Sequence, residues 1–459
     1  MTRVIERTLT LLDGQLPGRM SRPGDDRYVA ATSIWAKPVG RAPQAIVHCR
    51  TSQDVQLAIR AARDCDLPLS VRGGGHDWAG RVLCDGLVID VSGMNDVLIG
   101  FDGLTAKISG GVRALDVLRV TDPRGLAAVT GSCSAVGMAG LTLGGGYGPL
   151  IGRFGLALDN LIAADVVLAD GRIVTAEADR EEELFWALRG GGGNFGVVTA
   201  MRIRVHSLPS VLSGMLVYPF SEAKAVLERC AELTTSLPDE LTVQLGFVAS
   251  PEGVPVILVI PTWCGLPSEG DVHLTPLLQL GTLLDNSVDA VRYGASLAAF
   301  DAYIANGQRT FMDTCWLPAL GNASFDAFIG AIETAVSPGC AIFTHEFRGA
   351  ASRVPVEATA FGLRNDHVLV EVLAAFVDRS DKLEEQRHRQ WVQATIQAFE
   401  TIALPGGYPN LLPPGATDRA TKSFGRSAER LLKVKGYYDP DAVFSAIPLP
   451  VNEALADVA

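Results

Sequence analysis

The sequence predicts an α+β fold built from two closely associated domains. Three observations predict it. At 459 residues the chain exceeds the roughly 250–300 residues at which a single hydrophobic core stops growing. Its glycine runs, Gly73–Gly75, Gly144–Gly146 and Gly190–Gly193, all fall before residue 200, so the tight backbone work lies in the first part. After Pro209 these runs stop, and strand-like segments alternate with long helical ones, as in a sheet with helices on one face.

In chain order, Thr51-Ser52-Gln53-Asp54 is a capping box ahead of Val55, Ala58, Ile59 and Ala62, which starts a helix. Pro68 ends the connection after it, and Leu69–Val71 reads as a short strand feeding Arg72-Gly73-Gly74-Gly75-His76. Strands follow at Leu87–Val91 and Ala106–Ile108, with a helix near Ala114–Leu118. Val166–Val174 is two apolar runs around Asp170-Gly171, a hairpin signal. A helix occupies about Arg180–Leu188 and a strand Gly196–Ile203. The second domain carries strands at Leu241–Val248, Val254–Ile260, Cys340–Phe347 and His367–Phe376, and helices at Glu222–Leu237 and Lys382–Ala403. It ends near Leu404-Pro405-Gly406-Gly407; the tail Ser423–Phe444 holds one more helix, too short to fold alone.

Hydrophobic residues are 48% and charged residues 20% of the chain, the balance of a compact globular enzyme. A formal charge of −12 repels phosphate-rich surfaces and argues against nucleic-acid or anionic-membrane partners; a small molecule is the expected partner. No stretch approaches the roughly 18 apolar residues of a membrane span, and the start has acids where a signal peptide has an apolar run, so a cytoplasmic location is expected. The eight cysteines show no C-x-x-C and no Cys/His spacing of a zinc site, so neither a disulfide framework nor a metal is expected.

Gly191-Gly192-Gly193-Asn194-Phe195-Gly196 satisfies the G-x-G-x-x-G dinucleotide fingerprint, but that motif needs a strand before it and a helix after it. Here the order is reversed, so a Rossmann site is rejected. Arg72–His76 is a strand entering a glycine loop, which can offer successive backbone N–H groups to a pyrophosphate or be a plain turn. Gly131–Gly148 places seven glycines in eighteen residues. Each raises the entropy lost on folding, so something must lie against that backbone; a large planar ligand held along its edge accounts for it.

With these motifs the sequence resembles the berberine-bridge-enzyme-like oxidases of the vanillyl-alcohol oxidase and p-cresol methylhydroxylase flavoprotein superfamily. The resemblance spans nearly the whole chain and rests on five blocks in family order: R-G-G-G-H at Arg72–His76, the glycine block Gly131–Gly148, F-G-L-x-x-D-N-L at Phe154–Leu161, L-F-W-A-L-R-G-G-G-G-N-F-G-V-V-T at Leu184–Thr199, and Y-D-P-D-x-V-F at Tyr438–Phe444. It implies a two-subdomain FAD-binding domain of the p-cresol methylhydroxylase (PCMH) type over residues 38–208, with residues 1–37 packed on it. A substrate domain with an antiparallel sheet covered by helices spans 209–405, and 406–459 return to the FAD domain. It further implies FAD bonded covalently to His76 through the 8-methyl group and to Cys133 through ring carbon 6. The pyrophosphate loop falls on Arg72, Gly73, Gly74, Gly75, His76 and Asp77. Ring-contacting backbone falls on Val136, Gly137, Gly140, Gly144 and Tyr147, and further flavin contacts on Asp159, Asn160, Gly192, Asn194, Val198 and Asn410. A small residue three after the linking cysteine, here Val136, accompanies oxidases in similar enzymes. The implied activity is removal of hydride from an alcohol, hemiacetal or amine carbon, with dioxygen reduced to hydrogen peroxide, and secondary metabolism is the implied setting. A dehydrogenase with another acceptor, or a flavin-binding protein without catalysis, are the alternatives.

The sequence departs from the family at its base. Many relatives carry Y-x-N-Y late in the chain, where the second Tyr deprotonates substrate; here the motif reads Tyr408-Pro409-Asn410-Leu411. Tyr408 stays a candidate. In a strand at Ile342–Arg348, Thr344, Glu346 and Arg348 share one face while Phe343, His345 and Phe347 share the other; Glu346 is the second candidate and Glu371 a third. The remaining histidines, His48, His206, His273, His367 and His388, are expected at the surface or as satisfied core residues.

Overall fold

Among the described residues three large sheets and a two-stranded ribbon organise the chain. The computed structural model describes residues 2–37, 40–301, 307–377 and 381–451; the expected boundary at residues 37 and 38 touches residues outside this set, as do the last eight of the tail. The first sheet runs in the order Met20–Ser21, Ala45–His48, Leu87–Asp90, Leu69–Arg72, with its last three strands parallel. The second is antiparallel: Val97–Ile99, Thr105–Ser109, Val197–Arg204, Leu161–Val167, Ile173–Glu177. Between them lies the helix Ser52–Arg63, opened by the Thr51 and Asp54 reciprocal cap. Its Val55, Ala58, Ile59 and Ala62 sit in one core with Ile89 of the first sheet and Val167 and Val197 of the second. The amphipathic spacing thus joins two small sheets that neither could bury alone.

The third sheet is antiparallel and runs Asp285–Asn286, Leu216–Pro219, Pro255–Trp263, Leu241–Ala249, Cys340–Phe347, His367–Phe376, Arg309–Leu317. The helices Ala223–Thr234, Asn322–Glu333 and Lys382–Phe399 cover one face, burying Val226, Phe328 and Trp391 on Leu245, Ile342, Val368, Val370 and Val372. The opposite face turns toward the glycine-rich first part, where Phe347 and Leu369 share a core with Tyr147 and Leu158. This is the expected α+β architecture with helices on one face.

The strands around Asp170-Gly171 form the expected antiparallel hairpin, paired from Val167 to Ile173 and closed by Leu168 and Arg172 with Gly171 at φ +83; another strand departs from the sequence reading. The Arg309–Leu317 strand was not anticipated, because Asp313 interrupts its apolar run; the carboxylate is met there by Arg419 at 2.7 Å. The order around Gly191–Gly196 is helix Glu182–Leu188 before and strand Val197–Arg204 after, as the rejection of a Rossmann site requires.

Candidate active site at the glycine loops

The strand Leu69–Arg72 delivers the Gly73–His76 loop to the middle of the molecule. There it meets the turn before Met138: a Cβ on Gly74 would stand 2.6 Å from Gly137 Cα, so only two glycines allow these backbones to touch. Gly75 takes φ +70, a conformation costly for other residues, with Arg72 packed beneath it and paired to Asp90 at 3.1 Å. Arg72 Nε, Trp35 Nε1 and Ser132 Oγ are buried here without a protein partner. Buried polar atoms are rarely left unpaired; three around one pair of glycine loops are the mark of a ligand with acceptors, and FAD fits that donor set.

The His76 ring stacks on Trp35 at 4.6 Å and 6°, and its Nε2 lies 3.6 Å from Cys133 Sγ. The imidazole and the thiol from distant loops therefore converge. Burial lowers the His76 pKa to about 4, and burial raises that of Cys133 to about 11 with help from the charge of Asp301. At neutral pH the site holds a neutral imidazole and a protonated thiol.

Facing these loops, the open side of the large sheet presents His345 and Glu371, with His345 Nε2 3.3 Å from Glu371 Oε1 and 3.4 Å from Gln244 Nε2. The Glu371 charge is felt at His76, Tyr147 and Tyr408, raising the pKa of each against or alongside burial. A cleft lined by Ser132, Thr242, Gln244, Thr262, Ser296 and His345 opens beside this pair. His345 thus stands between Glu371 and a cleft lined by hydroxyls.

Residues 43–177 match the family described as FAD binding domain, and residues 407–447 the one described as berberine and berberine like. The (R)-6-hydroxynicotine oxidase of Paenarthrobacter nicotinovorans is 31% identical over 86% of this chain and 83% of its own. This chain belongs to the berberine-bridge-enzyme-like FAD-linked oxidoreductases. An FAD-linked oxidoreductase of Gibberella zeae is 28% identical over 95% of this chain and 86% of its own. The crystal structure of 6-hydroxy-D-nicotine oxidase from Arthrobacter nicotinovorans superposes with a TM-score of 0.84 at 27% identity, covering 94% of this chain and 97% of that one. A xylooligosaccharide oxidase from Myceliophthora thermophila shares the fold, with a TM-score of 0.84 at 22% identity over 98% of this chain and 100% of that one. The protein is thus an FAD-dependent oxidoreductase.

In this berberine-bridge-enzyme-like chain several expected site residues do other work. Glu346 is directly opposite Val368, whose side chain joins the helix-covered core, so it projects away from the FAD side. The ladder to the Leu241–Ala249 strand pairs only Gly246 with Phe343 and Phe247 with Ile342; beyond it Thr344 Oγ1 and Glu346 Oε2 accept from the backbone N–H groups of Leu245 and Val243 at 3.1 Å each. Glu346 still lines one end of the cleft, held 3.6 Å from Arg348 and pushed by burial to a pKa of about 7. Tyr408 is placed against the glycine block: its phenol oxygen accepts from Gly146 N–H at 3.0 Å and Asn410 Nδ2 at 3.1 Å, and burial pushes its pKa well above the ordinary value. Asn410 also donates to the Gly140 carbonyl at 3.2 Å and occupies the space a Cβ on Gly144 would need; Tyr408 and Asn410 therefore clamp the glycine block. Position 411 is Leu, whose carbonyl accepts from Trp78 Nε1.

The other positions divide in the same way. Val136 lies half-buried in the turn, its carbonyl bonded by Ala114 N–H at 2.9 Å. Tyr147 OH meets His367 Nε2 at 2.7 Å. Asp77 closes its own loop by accepting from Ala79 and Val82 N–H. The Asp159 carboxylate is held by Arg364, and Asn160 bonds the Phe154 and Leu156 carbonyls and His206. Asn194 uses both ends of its amide, donating to Gly191 and Ile447 and accepting from Ala446; a Cβ on Gly192 would strike Ile447. Val198 is a core strand residue, 4% exposed. The side chains of Asp159, Asn160, Asn194 and Val198 thus hold the backbone around the glycine loops in place. Trp35 and Asp301 lie in stretches with no motif and go unread in the sequence, whereas alternation places His345 on the face of Phe343 and Phe347 without giving it a role.

Proposed function

We propose that the protein is an oxidase that carries FAD bonded to His76 and Cys133 and removes hydride from an alcohol, hemiacetal or amine carbon of a small molecule, with dioxygen as the electron acceptor. The observation that carries the reading is the Glu371–His345 pair, 3.3 Å apart on the sheet face across from the two glycine loops. When bound, FAD supplies the two-electron acceptor for the substrate carbon. Arg72 and the Gly73–Gly75 backbone hold its pyrophosphate, and Tyr408 and Asn410 brace the backbone that meets the ring. Glu371 takes the proton from the substrate O–H or N–H as the neighbouring carbon is oxidised, and His345 fixes the carboxylate in place. The hydroxyl-rich cleft orients the substrate and Val136 leaves room for dioxygen. Relatives named for 6-hydroxynicotine and xylooligosaccharide oxidation are consistent with either an amine or a hemiacetal carbon.

The test has two parts. Anaerobic mixing of the yellow protein with panels of alcohols, sugars and cyclic amines is expected to bleach the flavin with one panel, and admission of air to restore the colour with one equivalent of peroxide. Bleaching followed by persistence of the reduced form in air sinks the oxidase reading in favour of a dehydrogenase. Intact-mass spectrometry of the denatured protein is expected to show one added FAD; complete release of flavin on acid precipitation overturns the covalent attachment.

A further inference from the structure

The Cys133 sulfur has a second neighbour besides His76. Asp301, the last residue of the helix Tyr293–Asp301, places Oδ1 3.6 Å from Cys133 Sγ, within reach of a thiol hydrogen bond. The carboxylate is not loose. Ser134 N–H donates to Oδ1 at 3.2 Å, and the Ser134 hydroxyl donates to Oδ2. Its helix is docked on the first part of the chain: Gly294 N–H donates to Asp122 at 3.0 Å, Tyr293 OH meets Thr130 Oγ1 at 2.9 Å, and Tyr293 and Leu297 are buried with Leu118 and Val129. No step of the substrate reaction uses this acid.

We propose that Asp301 is the proton acceptor that lets Cys133 form its bond to the flavin ring. The proposal rests on the covalent reading above. Overall, the thiol S–H and one ring C–H are exchanged for a C–S bond and two hydrogens, R–SH + Ar–H + O2 → R–S–Ar + H2O2. Sulfur and ring carbon together give up two electrons, dioxygen takes them, and both protons end in the peroxide. A thiol attacks only as it sheds its proton, and two groups are placed to take it. The His76 ring is pressed flat on Trp35 and gives one of its nitrogens to the cofactor in the covalent reading, whereas the Asp301 carboxylate is pinned beside the sulfur by both Ser134 N–H and the Ser134 hydroxyl. The carboxylate remains. Before reaction burial, with a smaller contribution from the carboxylate, keeps the sulfur protonated, which guards the thiol against stray oxidation. As the C–S bond forms, the sulfur loses its affinity for the proton and Asp301 receives it. Because Asp301 arrives on a helix made more than 150 residues after Cys133, the second anchor forms only once that helix has docked.

The test is a time course of attachment in air for the full-length protein and its Asp301→Asn and Asp301→Glu variants, read by mass spectrometry of peptides from denatured protein and by titration of the Cys133 thiol. Wild type is expected to give FAD bridging the His76 and Cys133 peptides. Asp301→Asn is expected to keep FAD on the His76 peptide while Cys133 stays titratable, with bridging slowed at least tenfold, and Asp301→Glu to recover most of the rate. Bridging by Asp301→Asn at the wild-type rate overturns the proposal. If wild type itself carries no Cys133 bond, the covalent reading falls and takes this with it, a result distinct from a variant that matches wild type. Should Asp301→Asn not fold, Ser134→Ala leaves the acid but unpins it: slowed bridging with normal His76 attachment supports the role, and an unchanged rate overturns it.

Discussion

Replacing Tyr408 by Phe separates a brace from a base. The phenol oxygen accepts from Gly146 N–H at 3.0 Å and from Asn410 Nδ2 at 3.1 Å in a site where the ring is 4% exposed. Phe keeps the packing against Tyr147, whose ring lies 5.1 Å away, but leaves the Gly146 N–H buried and unsatisfied, which costs about 1–3 kcal/mol. Asn410 retains the Gly140 carbonyl at 3.2 Å and adds little. The net loss is about 2 kcal/mol, worth a few degrees of melting temperature. Removing a general base would instead slow chemistry by about 10²–10⁴-fold. Thermal unfolding followed by flavin fluorescence, together with anaerobic stopped-flow reduction, reads both quantities on one sample. A melting temperature equal to wild type with reduction slowed a hundredfold or more would refute the assignment of Tyr408 as a brace and return it to the chemistry.

Glu371→Gln keeps the shape and the contact to His345 but removes the proton acceptor; flavin reduction is expected to slow by about 10²-fold or more with flavin content unchanged, as absorbance spectra and stopped flow will show. Lys435→Met strands the Asp439 carboxylate, fully buried and ion-paired to Lys435 at 2.5 Å, and also frees the Asn194 and Phe444 carbonyls; a loss of about 3–5 kcal/mol and faster proteolysis near the chain end are expected in urea titration and limited digestion. His367 is held neutral, its Nδ1–H donating to the Asn365 carbonyl at 2.7 Å and its Nε2 accepting from Tyr147, and burial lowers its pKa to about 3. A group depressed on folding stabilises the native state above its unfolded pKa near 6.5 and withdraws that support as pH falls through 3; on the order of 4 kcal/mol is at stake. Urea midpoints should decline from pH 6.5 toward 3, and an unchanged decline in His367→Asn would show that other groups carry it.

Much of the cradle is legible in the amino-acid order because close backbone approach requires glycine: a Cβ on Gly74 would overlap the Gly137 backbone, and one on Gly137 the Gly74 backbone. Element types were also legible wherever apolar period and caps agreed, as at Thr51–Arg63 and Cys340–Phe347. Which face of a strand meets the cofactor was not. Alternation separates Glu346 from His345, but the side that receives helices depends on register with Val368 across the intervening loop, and register between distant strands leaves no local trace. The Val368, Val370 and Val372 run does mark its own helix-facing side, which leaves Glu371 on the other; the same run read alone looked like a buried strand. Asp159 and Asn194 were located by resemblance, yet what their side chains bond is decided by Arg364 and by the Ala446–Ile447 backbone, both far along the chain.

Tyr408 and Asn410 press on backbone laid down some 265 residues earlier. Until they are made the trough for the ring has no keystone. A polypeptide cut short upstream of them therefore lacks the part that locks the glycines in place, and is expected to emerge pale where the longer chain is yellow.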